Sequence, residues 1–515
     1  MRWQVMNLEY KTHYRFLGLV SIWMVWFILI FQPVVRGFGQ ARALSSQSKL
    51  EKIDIEGIYS NRQAAGDTVT TVYLPGIYNS SSAPSVPRVN IPQITGSTAQ
   101  RLREAGVFWF GEVGLTDNYT DVRVSYDQDS LLIGIAIFDR LLWYDTSPTI
   151  DTLAEWDSVE VFLSTHGNQG NYLDDQSYRF VAEANRDVPL ASEYSATYRG
   201  NGTTWEYEAI PFTGIMSWRS GTSPFFNDLH DDFGWMISFE IPFSSFGLNG
   251  PPADGSIWGL SIKMNDRDNA GGASIPPKTW PSAANFFEPK TWGQMVFGLP
   301  GYTPAPYNPG GTTTIRNGEN GVVVRDVMVG GNTTCGEGLT FWTQWGNTNY
   351  HGATQLNVQN QWDVSDQPCF SKVFIRFPLN TIPSGNVIVS ASLTMYQFGN
   401  SDPSGAVASM IQLFVLDRDW DEGSITWNNA PQSVENVSRT RVDPLPSYPG
   451  LPGVARTWNV SKAVSDAYRV GSALNLGIYD ADMPMHSGKY FHSSNVDAYM
   501  ATSRPVLTVV WGQPK

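Results

Sequence analysis

The chain has 515 residues, of which 16% are charged and 13% aromatic, with 19 Trp, 47 Gly and 32 Pro. Abundant rings and few charges exclude a disordered chain, which needs the reverse, and suit turn-rich β-structure. A formal net charge of −14 excludes a nucleic-acid partner, because neutralising phosphates takes clustered Lys and Arg; it leaves neutral or cationic partners, and carboxylates can recruit calcium.

Phe16 to Phe31 are almost all apolar, Arg2, Lys11 and Arg15 precede them, and Ala41-Arg42-Ala43 follows. Positive flank, apolar run and small-residue site predict a secretory signal over residues 1–43, cut after Ala43. Extended to Val35, the same run also reads as a retained signal anchor; Pro33 and the A-x-A site favour cleavage. On either reading the protein is expected to be secreted or at the cell surface, touching a membrane only through this segment. About 470 residues remain, enough for two or three domains.

Residues 44–90 read as a spacer or a first strand. Strand candidates then follow closely. Asp121 to Asp127 alternates polar and apolar residues, and Leu131 to Phe138 is a continuous apolar run, as expected of a strand buried on both faces. Ser158 to Leu163, Trp235 to Ile241 and Trp258 to Met264 continue the series. Four prolines between Gly298 and Gly311 cannot sit in a sheet interior, so residues 299–314 read as a Pro/Gly-rich linker. It divides a first module, 91–298, from a second, 315–515. Beyond it lie strand candidates Lys372–Phe377, Val387–Phe398, Ile411–Leu416, Leu474–Tyr479 and Val506–Trp511, and one short helix at Val460 to Val470. The fold class is all-β: two different β-sandwich, jelly-roll-like domains after an N-terminal signal helix. Cys335 and Cys369 are the only cysteines. In an exported chain they read as one disulfide, with two free buried thiols as the competing reading.

An ordered series runs through the first module: Val122 to Asp127, Leu131 to Asp139, Trp156-Asp157-Ser158-Val159-Glu160-Val161-Phe162-Leu163, Phe239 to Ser244, Trp258-Gly259-Leu260, Asn265-Asp266-Arg267-Asp268 and Thr291-Trp292-Gly293. With this series, residues from about 107 to 298 resemble the family 9 carbohydrate-binding modules and the related DOMON-like sandwiches. The resemblance implies a sandwich that holds a glycan end between aromatic rings, with calcium as a structural brace. Sugar rings stack apolar C–H faces on aromatic side chains, while their hydroxyls need directional partners. Trp156 is the first candidate platform, then Trp143 and Tyr144. Glu160 shares a strand face with Phe162 and is a candidate hydroxyl acceptor, and Arg123 is a further ligand candidate. Each also has a plain structural reading: Trp156 as a core or rim residue, Arg123 as the partner of an acid. Asn265, Asp266 and Asp268 offer alternating oxygen ligands for calcium, or form an Asx-rich turn.

The second module carries Phe374-Ile375-Arg376-Phe377-Pro378-Leu379, Val389 to Tyr396, Trp420-Asp421-Glu422, Thr426-Trp427-Asn428-Asn429-Ala430-Pro431, Trp458-Asn459-Val460, Phe491-His492-Ser493-Ser494 and Ser503 to Leu507. With these, residues from about 315 to 513 resemble the DNRLRE-type domain, a family related to carbohydrate-binding modules of surface proteins. Its tryptophans read as packing residues, Arg376 as the partner of a buried carboxylate, and His492 as a hydrogen-bonded structural histidine.

These features point to a non-catalytic protein that attaches to a polysaccharide. The alternative is a glycoside hydrolase or lyase, or an accessory subunit of one, using pairs such as Asp157 and Glu160 or Asp421 and Glu422. A third reading, a DOMON-like haem or redox module, would want an axial pair such as Met236 and His230.

Overall fold

The computed structural model describes residues 86–515, apart from 168–169, 187–189, 220–225, 272–273, 332–337, 362–369, 403 and 484–485. The signal segment, most of the spacer and both cysteines lie outside the described residues. Among the described residues no helix is long and apolar enough to cross a membrane.

The regular structure of the described residues is nearly all β, as two sandwiches. In the first, one sheet has five antiparallel strands in the order Gly106–Gly111, Tyr119–Tyr126, Ser130–Phe138, Gly234–Pro242 and Thr213–Arg219. The facing sheet runs from Trp205–Tyr207 through Ser195–Gly200, Ser177–Glu183 and Ser158–Ser164 to Ile257–Asp266. The far edge of Ile257–Asp266 is shared: Ile275–Trp280 covers its C-terminal half and Gly293–Phe297 its N-terminal half. Arg88–Ile91, at the end of the expected spacer, adds a parallel strand on Gly293–Phe297. Alternation sends Val159, Val161 and Leu163 into the core with Phe180, Leu260 and Ile262, against Val122, Ile133, Ile135 and Phe239.

The second sandwich has one sheet ordered Arg325–Val329, Phe370–Phe377, Leu474–Asp480, Ser409–Leu416 and Ser433–Val442. In the other, Val387–Asn400 pairs along one edge with Val506–Pro514 and then Lys489–His492, and along the other with Val454–Asn459. The expected short helix is Ser461–Arg469.

The expected linker is shorter than the sequence suggests. From Tyr307 onward it is strand, Tyr307–Arg316, paired with Val506–Pro514. Among the described residues it pairs on one side only, and of the four prolines only Pro309 falls within it, beside a register shift. Gly310 and Gly311 lie against the Trp511 ring, where an added Cβ would meet ring atoms at 2.6 and 2.8 Å.

The two sandwiches share a third core. Trp109, Tyr119 and Phe138, on the outer face of the first module's five-stranded sheet, pack with Phe374, Phe414, Trp427 and Tyr479 of the second. Except at its edge strand Thr213–Arg219, whose outward residues are exposed, that sheet is buried on both faces, and Ser130–Phe138 is buried at every position, as its continuous apolar run predicts. Polar groups stitch the seam. Gln412 donates to the Ala105 carbonyl at 2.7 Å, Arg123 to the Ala481 carbonyl at 2.9 Å, and Tyr479 to Asp121 at 3.0 Å. The Asn436 side chain accepts from Asn90 N–H and donates to the Asn90 carbonyl, and the Asn90 amide donates to the Asn436 carbonyl.

Candidate functional site

The outer face of the first module's other sheet points away from the seam. By alternation it carries Ser158, Glu160 and Phe162 of one strand, Arg179 of the next, Tyr198 beyond it, and Ser261, Lys263 and Asn265 on the opposite side. Phe162 stacks on Phe286 with centroids 4.5 Å apart, and Trp205 lies parallel to Trp292 at 6.4 Å. Phe162 and Trp292 are buried, Trp205 and Phe286 half-buried, and Phe287 and Tyr172 exposed. The result is an aromatic rim over a charged floor.

Glu160 forms the floor and is 2% exposed. Its Oε1 accepts from Lys263 Nζ at 2.7 Å and Asn265 Nδ2 at 3.1 Å. Its Oε2 accepts from Arg179 Nε at 2.7 Å and lies 2.6 Å from Arg179 Nη2. Burial alone would raise its pKa, but the two cations outweigh burial and hold it below the usual carboxyl range. The Arg179 guanidinium also lies 4.7 Å from the Tyr198 ring centre, and the Lys263 ammonium 5.8 Å from that of Phe286.

A second constellation lies at one end of the first sandwich, drawn from both of its sheets. Asp139 follows Ser130–Phe138, Asp157 precedes Ser158–Ser164, and Asp266 closes Ile257–Asp266; each offers a carboxylate oxygen, all within 4.8 Å of one another, and all three residues are buried. Asp157 accepts from the backbone N–H groups of Trp143 at 2.7 Å and Arg267 at 2.9 Å. Asp139 accepts from Leu141 N–H, while its Oδ2 is buried without a hydrogen bond. Burial first, then repulsion from neighbouring carboxylates (Asp266 for Asp139, Asp139 for Asp157, Asp268 for Asp266), pushes all three carboxyls up, Asp266 to about 7 and the other two well above their usual range. Buried like charges with an orphaned oxygen need a proton or a cation, and an all-oxygen donor set suits a hard divalent ion such as calcium.

The sequence-derived candidates fall into separate places. Trp143 and Trp156 gather around Asp157, and the half-buried Trp156 ring carries the Arg267 guanidinium 4.4 Å from its centre. Tyr144 packs on Tyr194 and Phe226. Arg123 is 1% exposed and turned into the seam, on the sheet opposite Glu160; the alternating strand that carries it is covered on both faces. Of the expected calcium loop, only Asp266 joins the three-carboxylate cluster. Asn265 is committed to Glu160 and Ser158, and Asp268 lies close enough to raise Asp139 and Asp266 electrostatically. Cys335 and Cys369 lie outside the described residues.

Sequence reasoning missed Arg179, Lys263, Trp205 and Phe286 on the open face, and Asp139 and Asp157 as cluster members. The signal available was alternation: with Val159, Val161 and Leu163 in the core, the outward positions of neighbouring strands are readable once pairing is known.

In the second module Trp420, Trp427 and Trp458 are buried, as expected of packing residues. His492 is 5% exposed and stacks on Phe398 at 4.5 Å. Arg376 pairs with the exposed Asp419 rather than with a buried carboxylate. His230 is exposed beside Asp228, while Met236 is buried with Leu102 and Leu132, so the two do not share an environment suited to an axial pair.

Residues 341–502 match the family model of carbohydrate-binding module family 96, in the half where a carbohydrate-binding-module relative was expected. Among solved structures, the chain is similar to a family 9 carbohydrate-binding module from Caldicellulosiruptor kristjanssonii in complex with cellotriose, at 15% identity and a TM-score of 0.30, over 43% of this chain and 100% of that one. The same organism's family 9 module in complex with glucose gives 15% identity and a TM-score of 0.28, over 41% and 96%. At these scores the likeness carries no residue role to this chain. No curated protein matches it.

Proposed function

We propose that this is an exported, non-catalytic glycan-binding protein whose binding face is the outer sheet surface of the first module. One observation carries the reading: half-buried Trp205 and Phe286 stand over the Glu160–Arg179–Lys263 floor on a sheet face that the second module leaves open. Rings of this kind accept the apolar face of a sugar, and the cations supply directional donors. The match of residues 341–502 to a carbohydrate-binding-module family supports the same class of function. Export rests on the N-terminal charge and apolar pattern, and secretion or surface attachment follows from it.

Binding rather than acid–base chemistry is supported by the state of Glu160. A carboxylate held ionised with both oxygens doubly engaged is a poor proton donor or nucleophile. Calcium belongs to the reading as a brace: Asp139, Asp157 and Asp266 would hold it, fixing the ends of three strands and the Trp143 and Trp156 loops beside them. The test is a glycan array probed with the purified full chain, repeated with Trp205→Ala. Retention on at least one polysaccharide, weakened in the variant, is expected; retention on none overturns the proposal.

A further inference from the structure

The Glu160 floor also bears on which sugars the face selects, an inference that rests on the glycan-binding reading above. An ionised carboxylate offers about four lone-pair sites. At Glu160 each oxygen already has two nitrogen neighbours at 2.6 to 3.1 Å, and the residue is 2% exposed. It has no acceptor capacity left for a ligand. Its two cationic partners differ. Arg179 and Lys263 side chains keep 20% and 23% of their surface exposed. Arg179 spends Nε and Nη2 on Glu160, leaving the Nη1 hydrogens, and Lys263 spends one of its three ammonium hydrogens. Among the described residues neither makes another ion pair.

Glu160 therefore offers a ligand no acceptor while Arg179 and Lys263 offer donors, with two positive charges against one negative. A neutral sugar hydroxyl placed there can accept, but its own hydrogen meets no acceptor on Glu160. A group made only of acceptor oxygens has no such mismatch, and charge-assisted bonds to it are the stronger kind. We propose that this face selects sugars bearing an anionic substituent, a uronate carboxylate or a sulfate ester, seated on Arg179 and Lys263 with the ring against Trp205 and Phe286. The net charge of −14 repels a polyanion at long range, so selectivity belongs to this local contact and is best read with short oligosaccharides.

The full chain is tested on an array of neutral, uronic and sulfated oligosaccharides. The tightest acidic binder is then compared by calorimetry with its carboxyl-reduced or desulfated counterpart. Expected is at least a tenfold preference for the charged form, with carboxyl reduction and desulfation telling the two sources apart. Lys263→Met should bring the two forms towards parity. The wild-type comparison needs no variant, so it stands even if Lys263→Met fails to fold. Neutral binders alone, or equal affinity for charged and neutral forms, overturn this inference and leave glycan binding intact. Binding to nothing on the array overturns both.

Discussion

Lys372 and Trp427 are in direct contact at the seam, with the ammonium nitrogen 3.8 Å from the indole centre. The other module supplies two further walls, Trp109 at 4.3 Å and Tyr119 at 4.5 Å, and Tyr479 closes the cage at 5.0 Å. Burial drives the lysine pKa well below its usual value, with the nearby Asp121 pulling the other way. Lys372→Ala leaves an aromatic-walled hole and is expected to cost about 2–4 kcal/mol, the range of large-to-small core changes. Lys372→Met keeps the volume and removes a buried amine, and should change stability by less than about 1.5 kcal/mol. Urea unfolding of the two variants separates these outcomes.

On the open face, Trp205→Ala should weaken glycan binding about tenfold, a loss near 1.4 kcal/mol, with thermal unfolding little changed because the ring is half-buried at an edge strand. Phe162→Ala is the contrast: a ring 2% exposed, stacked on Phe286, whose removal should cost about 3–5 kcal/mol of stability.

Calcium should raise the melting temperature, by an amount that grows with pH. Without the ion, Asp139, Asp157 and Asp266 keep protons that the unfolded chain releases at ordinary carboxyl values. Their contribution is full below that range and is lost as pH rises through the folded values, about 7 for Asp266. Calcium bound by the ionised carboxylates offsets this loss, by about 2.7 kcal/mol at a hundred times Kd. Thermal scans with calcium and with chelator at pH 5 and pH 8 check it: the gap should be wider at pH 8 and should close in Asp157→Asn.

A second pH signal comes from Asp326 in the other module. It is 1% exposed, accepts from Ser494 N–H at 2.8 Å, and is raised to about 7 by burial, with Glu422 adding to the shift. A raised folded value means stability that is complete below the unfolded carboxyl pKa and falls as pH climbs through 7. Asp326→Asn keeps an oxygen for Ser494 and removes the titration, so its stability between pH 5 and pH 8 should be flatter than that of the parent. Equal slopes would contradict the assignment.

Local pattern was legible wherever burial is two-sided or strictly alternating. Leu131 to Phe138 declares a strand covered on both faces, and Val159, Val161 and Leu163 declare a core face that leaves Glu160 and Phe162 outward. What stayed hidden was decided by pairing between distant segments. Arg123 alternates as if its strand had a wet face, but the second module covers that face. Asp139, Asp157 and Asp266 stand in three separate motifs, and only the strand order brings their carboxylates together. Trp205 and Phe286 carry no local mark that distinguishes them from other rings in a chain with 19 Trp. Pro309 looks like a sheet breaker, yet an edge strand tolerates it at a register shift.

The shared third core also decides where this chain can be divided. Cutting the chain between Gly298 and Tyr307 would strip Trp109, Tyr119 and Phe138 of one wall, and Phe374, Phe414 and Trp427 of the other. Each fragment would carry a sticky aromatic flank and a stranded polar group, Arg123 on one side and Lys372 on the other. Moving one sandwich alone into another protein would carry an exposed aromatic surface along with it.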